Sequence, residues 1–321
     1  MNPTFYEPAS KDLEQVRTML LGFPNVPYPW LSRLLSHVLG DGSGKMLRPT
    51  LTILSGKCLG YRADLHISMA ASLELLHTAT LVHDDAVDSS SLRRGKATLN
   101  ALWDAPTSVL VGDYLFALAA ELAAGTGNLD VIRLFARTLM DICKGELEER
   151  HFAYRTDVTR DQYYKRIALK TASLFSAATE SGALLSQAPT DHTTAMRDYG
   201  HLLGMAFQVV DDILDFVGDE RQMGKPVGSD LLQGTVTLPA LLLLERQQED
   251  NPIAAMFQGP GHEGDLSKAV SLIRNSSIIN ESYVVAHDFQ DRACQALRDL
   301  PHSPFKQALL DIAAYSVQRL R

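Results

Sequence analysis

Apolar residues recur at spacings of three and four along most of this chain. Clear examples are the segments WLSRLLSHVL, DYLFALAAELAA, VIRLFARTLMDI and FKQALLDIAAYSVQRL. Such spacing gathers apolar side chains on one face of an α-helix, whereas the strict alternation typical of a half-buried strand is scarce. The pattern therefore predicts an all-α fold with a large hydrophobic core.

Residues that interrupt helices fall between these segments and predict the loops. The predicted interhelical loops are residues 23–29, 124–128, 187–192, 251–265 and 301–304. They are rich in Gly, Pro, Asn and Asp, which favour turns. None is long or biased enough to be a domain linker, and no repeat with a period of about 20 to 50 residues is present. We therefore interpret residues 1–321 as a single domain.

Two acidic clusters stand at the ends of apolar helical segments. In the first, Asp84, Asp85 and Asp88 follow the nearly uncharged run LLHTATLV. A helix places Asp84 and Asp88 one turn apart on the same face, and His77, seven residues before Asp84, lies on the same stripe. The cluster is therefore predicted to form a polar seam on an otherwise apolar helix.

The second cluster repeats this arrangement in LLGMAFQVVDDILDF, residues 202–216. Its polar side chains lie at offsets of 0, 3, 4 and 7 and share one helical face: Gln208, Asp211, Asp212 and Asp215. Acidic residues at a helix end are most often N-caps or a solvated face, but both clusters follow apolar runs rather than turn residues. Neither resembles the calcium loop of an EF-hand. Each seam is expected to face an internal cavity.

Carboxylates in such a cavity need cations. Desolvation and mutual repulsion would raise their pKa values and destabilise the helices if they stayed unpaired. Oxygen ligands without cysteine and with little histidine favour hard cations, and Mg²⁺ commonly takes one or two carboxylates together with water and substrate phosphates. The clusters therefore indicate Mg²⁺ and a substrate that carries phosphate.

Four short basic segments offer donors for other phosphate oxygens: residues 42–49, 92–96, 170–172 and 224–226. Arg93 and Arg94 follow the first acidic cluster, and guanidinium groups bind phosphate oxygens in pairs. Lys45 and Arg48 lie beside glycines whose backbone N–H groups can approach an anion. Singly, such a residue is most often a solvated surface charge. Their occurrence together with two acidic clusters indicates a diphosphate site.

Composition narrows the class of protein. A net charge of −8 argues against a nucleic-acid surface. Three widely spaced cysteines (Cys58, Cys143, Cys294) predict buried, reduced thiols and a cytoplasmic location. The N-terminal segment lacks the pattern of a secretion signal, and no uncharged apolar run reaches about 18 residues. We expect neither secretion nor a membrane span, and at most a transient contact with a membrane surface during product release.

These segments resemble the trans-prenyl diphosphate synthases of the polyprenyl synthetase group. The resemblance extends from GSGKMLRP through ELLHTATLVHDDAVD, RRGKATLNALW, GDYLF, LKTASLF and FQVVDDILDF to GKPVGSDLLQGTVTLP. It implies the single-domain isoprenoid synthase fold, a large helical bundle around a deep central cavity, usually as a homodimer. The implied enzyme is a Mg²⁺-dependent prenyltransferase that joins an allylic diphosphate head to tail to isopentenyl diphosphate.

The same resemblance implies a role for each matching residue. Three Mg²⁺ ions are expected, with direct ligands Asp84, Asp88 and Asp211. Behind these, through water or hydrogen bonds, lie Asp85, Asp212 and Asp215. The allylic diphosphate is expected at Arg93, Lys170 and Lys225. The site for isopentenyl diphosphate is expected at Gly44, Lys45, Arg48, His77 and Arg94. The carbocation would be shielded by Thr171 and Gln208.

Two positions depart from the family pattern. Thr235 stands where the family often has a second lysine after the second acidic cluster. The contact that this lysine would make with a diphosphate is therefore not expected here. Met46 replaces a residue that is frequently basic, and we expect little effect because Lys45 and Arg48 remain.

The implied chemistry follows from charge. Divalent ions and basic side chains stabilise the departing diphosphate, so the allylic carbon ionises and the double bond of isopentenyl diphosphate attacks it. We assign no protein nucleophile and no side-chain base, because the released diphosphate can accept the final proton. The glycine-rich, charged segment 217–235 is predicted to be a mobile loop whose closure excludes water.

Product length is expected to depend on the depth of an apolar tunnel below the first cluster. Ala79 lies five residues before Asp84, about 7.5 Å along the helix axis, and is followed by Thr80. Short-chain relatives often place an aromatic ring here, so two small residues favour a medium- or long-chain product, C30 or longer. A farnesyl or geranylgeranyl diphosphate synthase stays an alternative, because another helix, such as residues 133–147, could supply a floor.

Three other classes of protein share some of these features. A terpene cyclase or head-to-head synthase usually lacks donors for two diphosphates, which this chain offers. A non-catalytic partner subunit typically loses aspartates, whereas all six are present here. A phosphohydrolase of the HD type, suggested by the pair His83-Asp84, needs further metal-binding histidines, and only His77 is nearby.

Overall fold

The computed structural model describes residues 4–40, 44–93, 95–218, 226–259 and 263–318. In chain order the α-helices are α1 (Ser10–Gly22), α2 (Pro29–Leu39), α3 (Leu47–Leu59), α4 (Ala63–Val87), α5 (Leu99–Leu102), α6 (Ala105–Gly125), α7 (Leu129–His151), α8 (Arg160–Ile167), α9 (Ser173–Leu185), α10 (Thr190–Val217), α11 (Ser229–Leu232), α12 (Leu238–Arg246), α13 (Pro252–Phe257), α14 (Glu263–Arg274), α15 (Ile278–Ala296) and α16 (Pro304–Gln318). A 3₁₀-helix (Thr4–Ala9) precedes α1, and a π-helical turn (Ala168–Ala172) joins α8 to α9.

Strands within the described residues are limited to one hairpin. In it β1 (Leu92–Arg93) pairs antiparallel with β2 (Lys96–Ala97). The predicted all-α fold class is therefore confirmed. The breaks predicted at residues 23–29 and 124–128 do separate α1 from α2 and α6 from α7.

The loop predicted at residues 251–265 is wrong in part, because α13 forms within it and α14 begins at its end. The Asn251 side chain accepts a hydrogen bond from the backbone N–H of Ile253 (2.9 Å), which caps the first turn of α13. Pro252 occupies the first helical position, where its missing N–H costs nothing and its φ angle suits the helix. Residues interpreted as helix breakers therefore start a helix here.

The chain divides into two compact units, and each is described by itself. Unit 1 comprises Met1–Thr138, Leu174–Arg197 and Leu297–Asp311. Unit 2 comprises Leu139–Ser173, Asp198–Ala296 and Ile312–Arg321. The first acidic cluster belongs to unit 1 and the second to unit 2. The single-domain organisation stays a prediction.

In unit 1 the long helix α4 packs against α6, α3 and α1. Leu75 and Leu76 are fully buried, and burial of one such side chain stabilises the fold by about 2 kcal/mol. His66 is also fully buried, with its Nε2 at 3.0 Å from the carbonyl oxygen of Gly182, and burial lowers its pKa. A Cβ at Gly56 would lie 2.2 Å from this ring, so glycine lets α3 approach α4 closely. These contacts fix the helix whose far end carries the first cluster.

In unit 2 the second half of α10 lies in the hydrophobic core. Val209, Val210 and Ile213 are fully buried there, in one cluster with Leu241 and Leu242 of α12. Because these residues alternate with the polar ones along α10, packing of the apolar positions fixes the turns that carry the second acidic cluster.

Helices α4 and α6 are long and apolar enough, by length and composition, to cross a membrane. In α4, 61% of the apolar window is buried inside the protein, against 33% in α6. Core helices of soluble proteins meet the same criteria, so this is weak evidence for a membrane span. The low burial of α6 leaves Val109 and Leu110 exposed.

The three cysteines are free thiols. Burial raises the pKa of Cys58 to about 11, and Cys294 is also partly buried. Cys143 is exposed, so the predicted burial is wrong for this residue, because it lies on the solvent side of α7.

Candidate active site

The first acidic cluster lies at the carboxyl end of α4, in unit 1. Asp84 and Asp85 are in the last turn, and Asp88 follows it, with its backbone N–H donating to the Asp84 carbonyl (2.8 Å). The carboxyl end of a helix carries partial negative charge, so an exposed carboxylate there costs about 0.3–1 kcal/mol. This placement opposes helix stability and calls for cations nearby.

One such cation is Arg93. Its Nε donates to both carboxylate oxygens of Asp85, at 2.8 and 2.9 Å, because the hairpin β1–β2 returns to the end of α4. Burial raises the pKa of Asp85 above its ordinary value, and the Arg93 guanidinium offsets only part of this increase. The Arg93 side chain keeps 39% of its surface exposed. Arg94 lies outside the described residues.

Helix α6 holds the last turn of α4. The ring of His83 packs edge-on against Phe116, and its Nε2 lies 3.0 Å from the carbonyl oxygen of Val109. A Cβ at Gly112 would lie 2.2 Å from the His83 ring, so glycine permits this close approach of the two helices. His83 therefore helps to orient the turn that carries the first cluster.

Of the residues predicted for the isopentenyl diphosphate site, Gly44 lies against α4 and His77 lies on it. A Cβ at Gly44 would lie 2.9 Å from the carboxylate of Glu74. Glu74 is on α4, close to one turn before His77, which is partly buried. The segment around Gly44 therefore lies against the same helix that carries the first acidic cluster.

Two other predicted residues of this site flank the start of α3. Met46, between them, has a left-handed φ of 51° as the residue before α3, and its side chain is buried. Lys45 is exposed. The guanidinium of Arg48 lies over the ring of Phe175, 4.8 Å from its centroid. The buried Met46 side chain therefore anchors a strained turn between two basic residues.

The second acidic cluster lies in the last turns of α10, in unit 2. Both oxygens of the Asp212 carboxylate accept hydrogen bonds, from the Tyr163 hydroxyl (2.6 Å) and the Gln208 amide (2.8 Å). The Gln208 carbonyl oxygen accepts one from the Thr171 hydroxyl (2.6 Å). Burial is the main cause that raises the pKa of Asp212 to about 7, and the charge of Asp230 adds to it.

Asp215, one turn further along α10, holds the chain that returns to the cluster. Its carboxylate accepts hydrogen bonds from the Ser229 hydroxyl (2.8 Å) and the backbone N–H of Asp230 (3.2 Å). Its backbone carbonyl accepts one from Gly228 (2.8 Å), whose left-handed φ of 74° suits glycine. Asp211 is partly exposed on the same helix end.

The predicted mobile loop, residues 217–235, is described in part. Residues 219–225, including Lys225, lie outside the described residues. At the far end, the backbone N–H of Thr235 donates to the backbone carbonyl oxygen of Asp230 (2.8 Å), and that of Tyr154 donates to the backbone carbonyl oxygen of Gly234 (2.9 Å). This end is therefore fixed by hydrogen bonds, and closure of the loop stays a prediction.

Lys170 and Thr171 lie in the π-helical turn between α8 and α9. Such turns insert an extra residue into a helix and often occur at functional sites. The Lys170 Nζ lies 3.0 Å from Glu146 and 2.7 Å from Glu149, both on α7. A Cβ at Gly145 would lie 2.6 Å from the Lys170 backbone nitrogen, so glycine lets α7 approach the turn. Lys170 is therefore held between two carboxylates.

The residues predicted to control product length lie in the second half of α4. Ala79 has no exposed surface. Thr80 is partly exposed, and its hydroxyl donates to the carbonyl of His77 (2.7 Å). Of these two residues, only Thr80 has accessible surface.

Sequence reasoning did not single out four residues that complete these sites: Tyr163, Asp230, Glu146 and Glu149. Tyr163 is 49 positions from Asp212, and Glu149 is 21 positions from Lys170. No local pattern marks such pairs, because tertiary packing of separate helices brings them together. One local signal could have pointed to Tyr163. It lies seven residues before Lys170, a spacing that places both residues on the same face of a helix.

The donor chemistry fits a divalent ion that binds together with substrate. Within the described ranges, no three ligand-type side chains form a group that could hold a metal ion by itself. Both clusters consist of carboxylates, and Mg²⁺ is commonly held by one or two carboxylates with water and substrate phosphates completing its shell. The residues therefore fit an ion whose ligands come partly from the protein and partly from the substrate, rather than an ion held by protein ligands alone.

The raised pKa of Asp212 predicts a pH-dependent stability difference. Its folded-state pKa of about 7 exceeds the ordinary 3.8, so the protonated carboxyl favours folding, and this contribution is lost as pH rises from about 4 to 7. An Asp212→Asn variant does not lose this stability, because asparagine does not ionise. Its free energy of unfolding should therefore gain about 2–3 kcal/mol relative to the wild type between pH 5 and pH 8.

Denaturant unfolding in metal-free buffer at several pH values measures this difference. The matched control is Asp191→Asn, which neutralises an exposed carboxylate in the first turn of α10. Its difference from the wild type should stay constant over the same range. A constant difference for Asp212→Asn would contradict the raised pKa.

Comparison with known proteins identifies the family. The model of the family described as Polyprenyl synthetase matches residues 28–273. Component 2 of the heptaprenyl diphosphate synthase of Geobacillus stearothermophilus is 38% identical over 315 residues, which covers 98% of each chain. This chain therefore belongs to the polyprenyl synthetase family, and the resemblance inferred from its sequence is confirmed.

Solved structures agree with this assignment. A decaprenyl diphosphate synthase from Rhodobacter capsulatus superposes with a TM-score of 0.92 at 37% identity, covering 99% of this chain and 98% of that one. A polyprenyl synthase from Caulobacter crescentus CB15, complexed with calcium and isoprenyl diphosphate, has a TM-score of 0.92 at 34% identity, covering 99% and 97%. Within its family the chain is a prenyltransferase, a polyprenyl diphosphate synthase.

Proposed function

We propose that this chain condenses an allylic diphosphate head to tail with isopentenyl diphosphate and makes an all-trans polyprenyl diphosphate of C30 or longer. The observation that carries the proposal is the position of two acidic clusters, each at the carboxyl end of an apolar helix. Carboxylates there need counter-charge, which divalent ions bound to a diphosphate supply. The products named for the Geobacillus and Rhodobacter relatives support the chain length.

The proposed ions are three Mg²⁺. Their direct ligands in this proposal are Asp84, Asp88 and Asp211, with diphosphate oxygens completing the shells. The hydrogen bonds of Asp85, Asp212 and Asp215 hold these helix ends in place. Bound Mg²⁺ would supply positive charge to the departing diphosphate. Calcium in the Caulobacter relative supports a divalent ion in this family.

We propose that Arg93 and Lys170 change partners when substrate binds. In this structure they pair with carboxylates, Arg93 with Asp85 and Lys170 with Glu146 and Glu149. A diphosphate offers more negative charge and more acceptor oxygens than a carboxylate. The proposed roles of the remaining basic and glycine positions follow the family pattern: Lys225 for the allylic diphosphate, and Gly44, Lys45, Arg48, His77 and Arg94 for isopentenyl diphosphate.

The proposed reaction needs no covalent bond to the protein. The allylic C–O bond breaks, and its electron pair leaves with the diphosphate. The double bond of isopentenyl diphosphate supplies the electron pair of the new C–C bond, and a proton is then lost to the released diphosphate. Thr171 and Gln208 place oxygen atoms beside the developing cation, and closure of the loop over 217–235 excludes water.

The product length provides a specific prediction. Replacing Ala79 with phenylalanine is expected to shorten the main product by at least one C5 unit, because the ring would fill the tunnel below the first cluster. Reversed-phase analysis of the prenyl alcohols, obtained by dephosphorylation of the products, measures the change.

Because Ala79 is fully buried, Phe at this position could also overpack the helix. Two further variants separate these effects. Ala79→Leu adds less volume at the same site, and Thr80→Phe places the ring at the adjacent, partly exposed position. An unchanged product distribution in all three folded variants would reject this position for the tunnel.

We also propose a cytoplasmic homodimer. Val109 and Leu110 on α6 are 42% and 68% exposed, on a helix that is apolar over most of its length. Exposed apolar surface of this kind is usually covered by another chain, and a second copy covers it symmetrically. Sedimentation velocity of the purified chain tests the dimer.

Incubation of the purified chain alone with Mg²⁺, isopentenyl diphosphate and each allylic primer from C5 to C20 tests the proposed function. We expect a polyprenyl diphosphate of C30 or longer. The Geobacillus relative is named as one component of its enzyme, which favours a second candidate: a subunit that needs a partner. No product from the chain alone would support that candidate, whereas a short product would reject the proposed chain length.

A further inference from the structure

Four side chains in unit 2 form one continuous chain of hydrogen bonds. The Tyr163 hydroxyl donates to Asp212 (2.6 Å), and the Gln208 amide donates to the other oxygen of the same carboxylate (2.8 Å). The Thr171 hydroxyl donates to the Gln208 carbonyl oxygen (2.6 Å). We call these four residues the relay. All three distances lie in the range of well-formed hydrogen bonds.

Each hydrogen bond in the relay has a defined donor and acceptor. The Gln208 NH₂ group faces Asp212 and donates to it, and the Gln208 carbonyl oxygen faces Thr171 and accepts from its hydroxyl. The single proton of the Thr171 hydroxyl is then committed to Gln208. The Thr171 oxygen therefore keeps only acceptor capacity, which suits an oxygen placed beside a developing positive charge.

Burial separates the two ends of the relay. Tyr163 is fully buried and Asp212 is 2% exposed, whereas Gln208 and Thr171 are partly accessible. Tyr163 is fixed further by the guanidinium of Arg166, which lies 5.7 Å from its ring centroid and donates to the Val236 carbonyl (2.8 Å). Tyr163 can therefore influence the reaction only through the residues that it holds.

We infer that Tyr163 is a positioning residue for the condensation, because it orients Asp212, and through it the Gln208 amide and the Thr171 hydroxyl. The inference rests on the proposed function. It assigns Tyr163 a role in the rate of the chemical step rather than in substrate binding.

A Tyr163→Phe variant keeps the ring and removes the hydroxyl. Loss of one buried hydrogen bond to a carboxylate predicts a decrease of kcat by about 10- to 100-fold, with KM for both diphosphates within about twofold of the wild type. The matched control is Tyr164→Phe. Tyr164 is the next residue, is partly buried, and contacts Phe289 through its ring, so its kinetics should match the wild type.

A double-mutant cycle distinguishes the relay from a purely structural role. Gln208→Leu cuts the relay in the middle, so adding Tyr163→Phe to it should change kcat by less than about threefold. Full additivity of the two effects on kcat, or a Tyr163→Phe variant with wild-type kcat, would overturn the inference. An inactive wild type and Tyr164→Phe control would instead contradict the proposed function, so the two failures are distinguishable.

Discussion

An Asp84→Asn variant is expected to lose at least about a thousandfold in kcat/KM, because it keeps the shape of the side chain and removes the charge proposed to bind Mg²⁺. Loss of one preorganised electrostatic contact typically costs a factor of about 10² to 10³, and a shared metal ligand affects more than one oxygen of the diphosphate. Steady-state kinetics with saturating isopentenyl diphosphate and a varied allylic primer measure the decrease.

The same variant should fold at least as well as the wild type. Asp84 lies in the last turn of α4, where a carboxylate opposes the helix dipole, so its neutralisation removes an unfavourable dipole interaction of about 0.3–1 kcal/mol from the metal-free protein. Replacement of a residue needed for folding would instead lower the free energy of unfolding. Lower stability together with lower activity would therefore contradict a role in binding cations.

The matched control is Asp64→Asn. Asp64 is exposed in the first turn of the same helix, where a carboxylate favours the dipole. We expect this variant to keep wild-type kcat/KM and to lose a few tenths of a kcal/mol in stability. A comparable loss of activity in Asp64→Asn would mean that net charge, rather than the position of Asp84, controls the reaction.

Removal of divalent ions is expected to abolish condensation, and added Mg²⁺ should restore it fully. Without divalent ions the departing diphosphate would lack counter-charge, so the allylic carbon would not ionise at a useful rate. Product formation by wild-type protein in EDTA, and again after an excess of Mg²⁺, measures both parts. EDTA already saturated with Mg²⁺ is the control for effects of the chelator itself.

Ion binding should also depend on substrate. No three ligand-type side chains of the described residues form a closed metal site, so Mg²⁺ and diphosphate should raise the unfolding temperature together by more than the sum of their separate effects. Additive shifts would indicate independent sites. Undiminished activity in EDTA would remove the basis for the two acidic clusters as metal sites.

The sequence predicts the helices correctly because the pattern that marks a helix lies within a few helical turns. The three-and-four spacing of apolar residues predicts the helices, and α4 and α10 end where the acidic clusters stand. Asn251 and Pro252 show the limit of this approach. Their residue types favour both the end of one helix and the start of another, so the sequence predicts a loop where α13 forms.

Contacts between distant segments could not be predicted in the same way. Sequence patterns single out Lys170 but not its partners Glu146 and Glu149, which reach it because Gly145 lets α7 approach the π-helical turn. The apolar spacing places Gly145 in a helix, but no local signal shows which other segment that helix approaches at this glycine.

The sequence by itself determined the all-α class, the family, and which two helices end in carboxylates, because each depends on residue order along one segment. The tertiary structure decided which protein donors bind three of those carboxylates. Asp85 pairs with Arg93, Asp212 with Tyr163 and Gln208, and Asp215 with Ser229. Hydrogen bonds need atoms within about 3 Å, and for residues 49 positions apart, such as Tyr163 and Asp212, only packing of separate helices sets that distance.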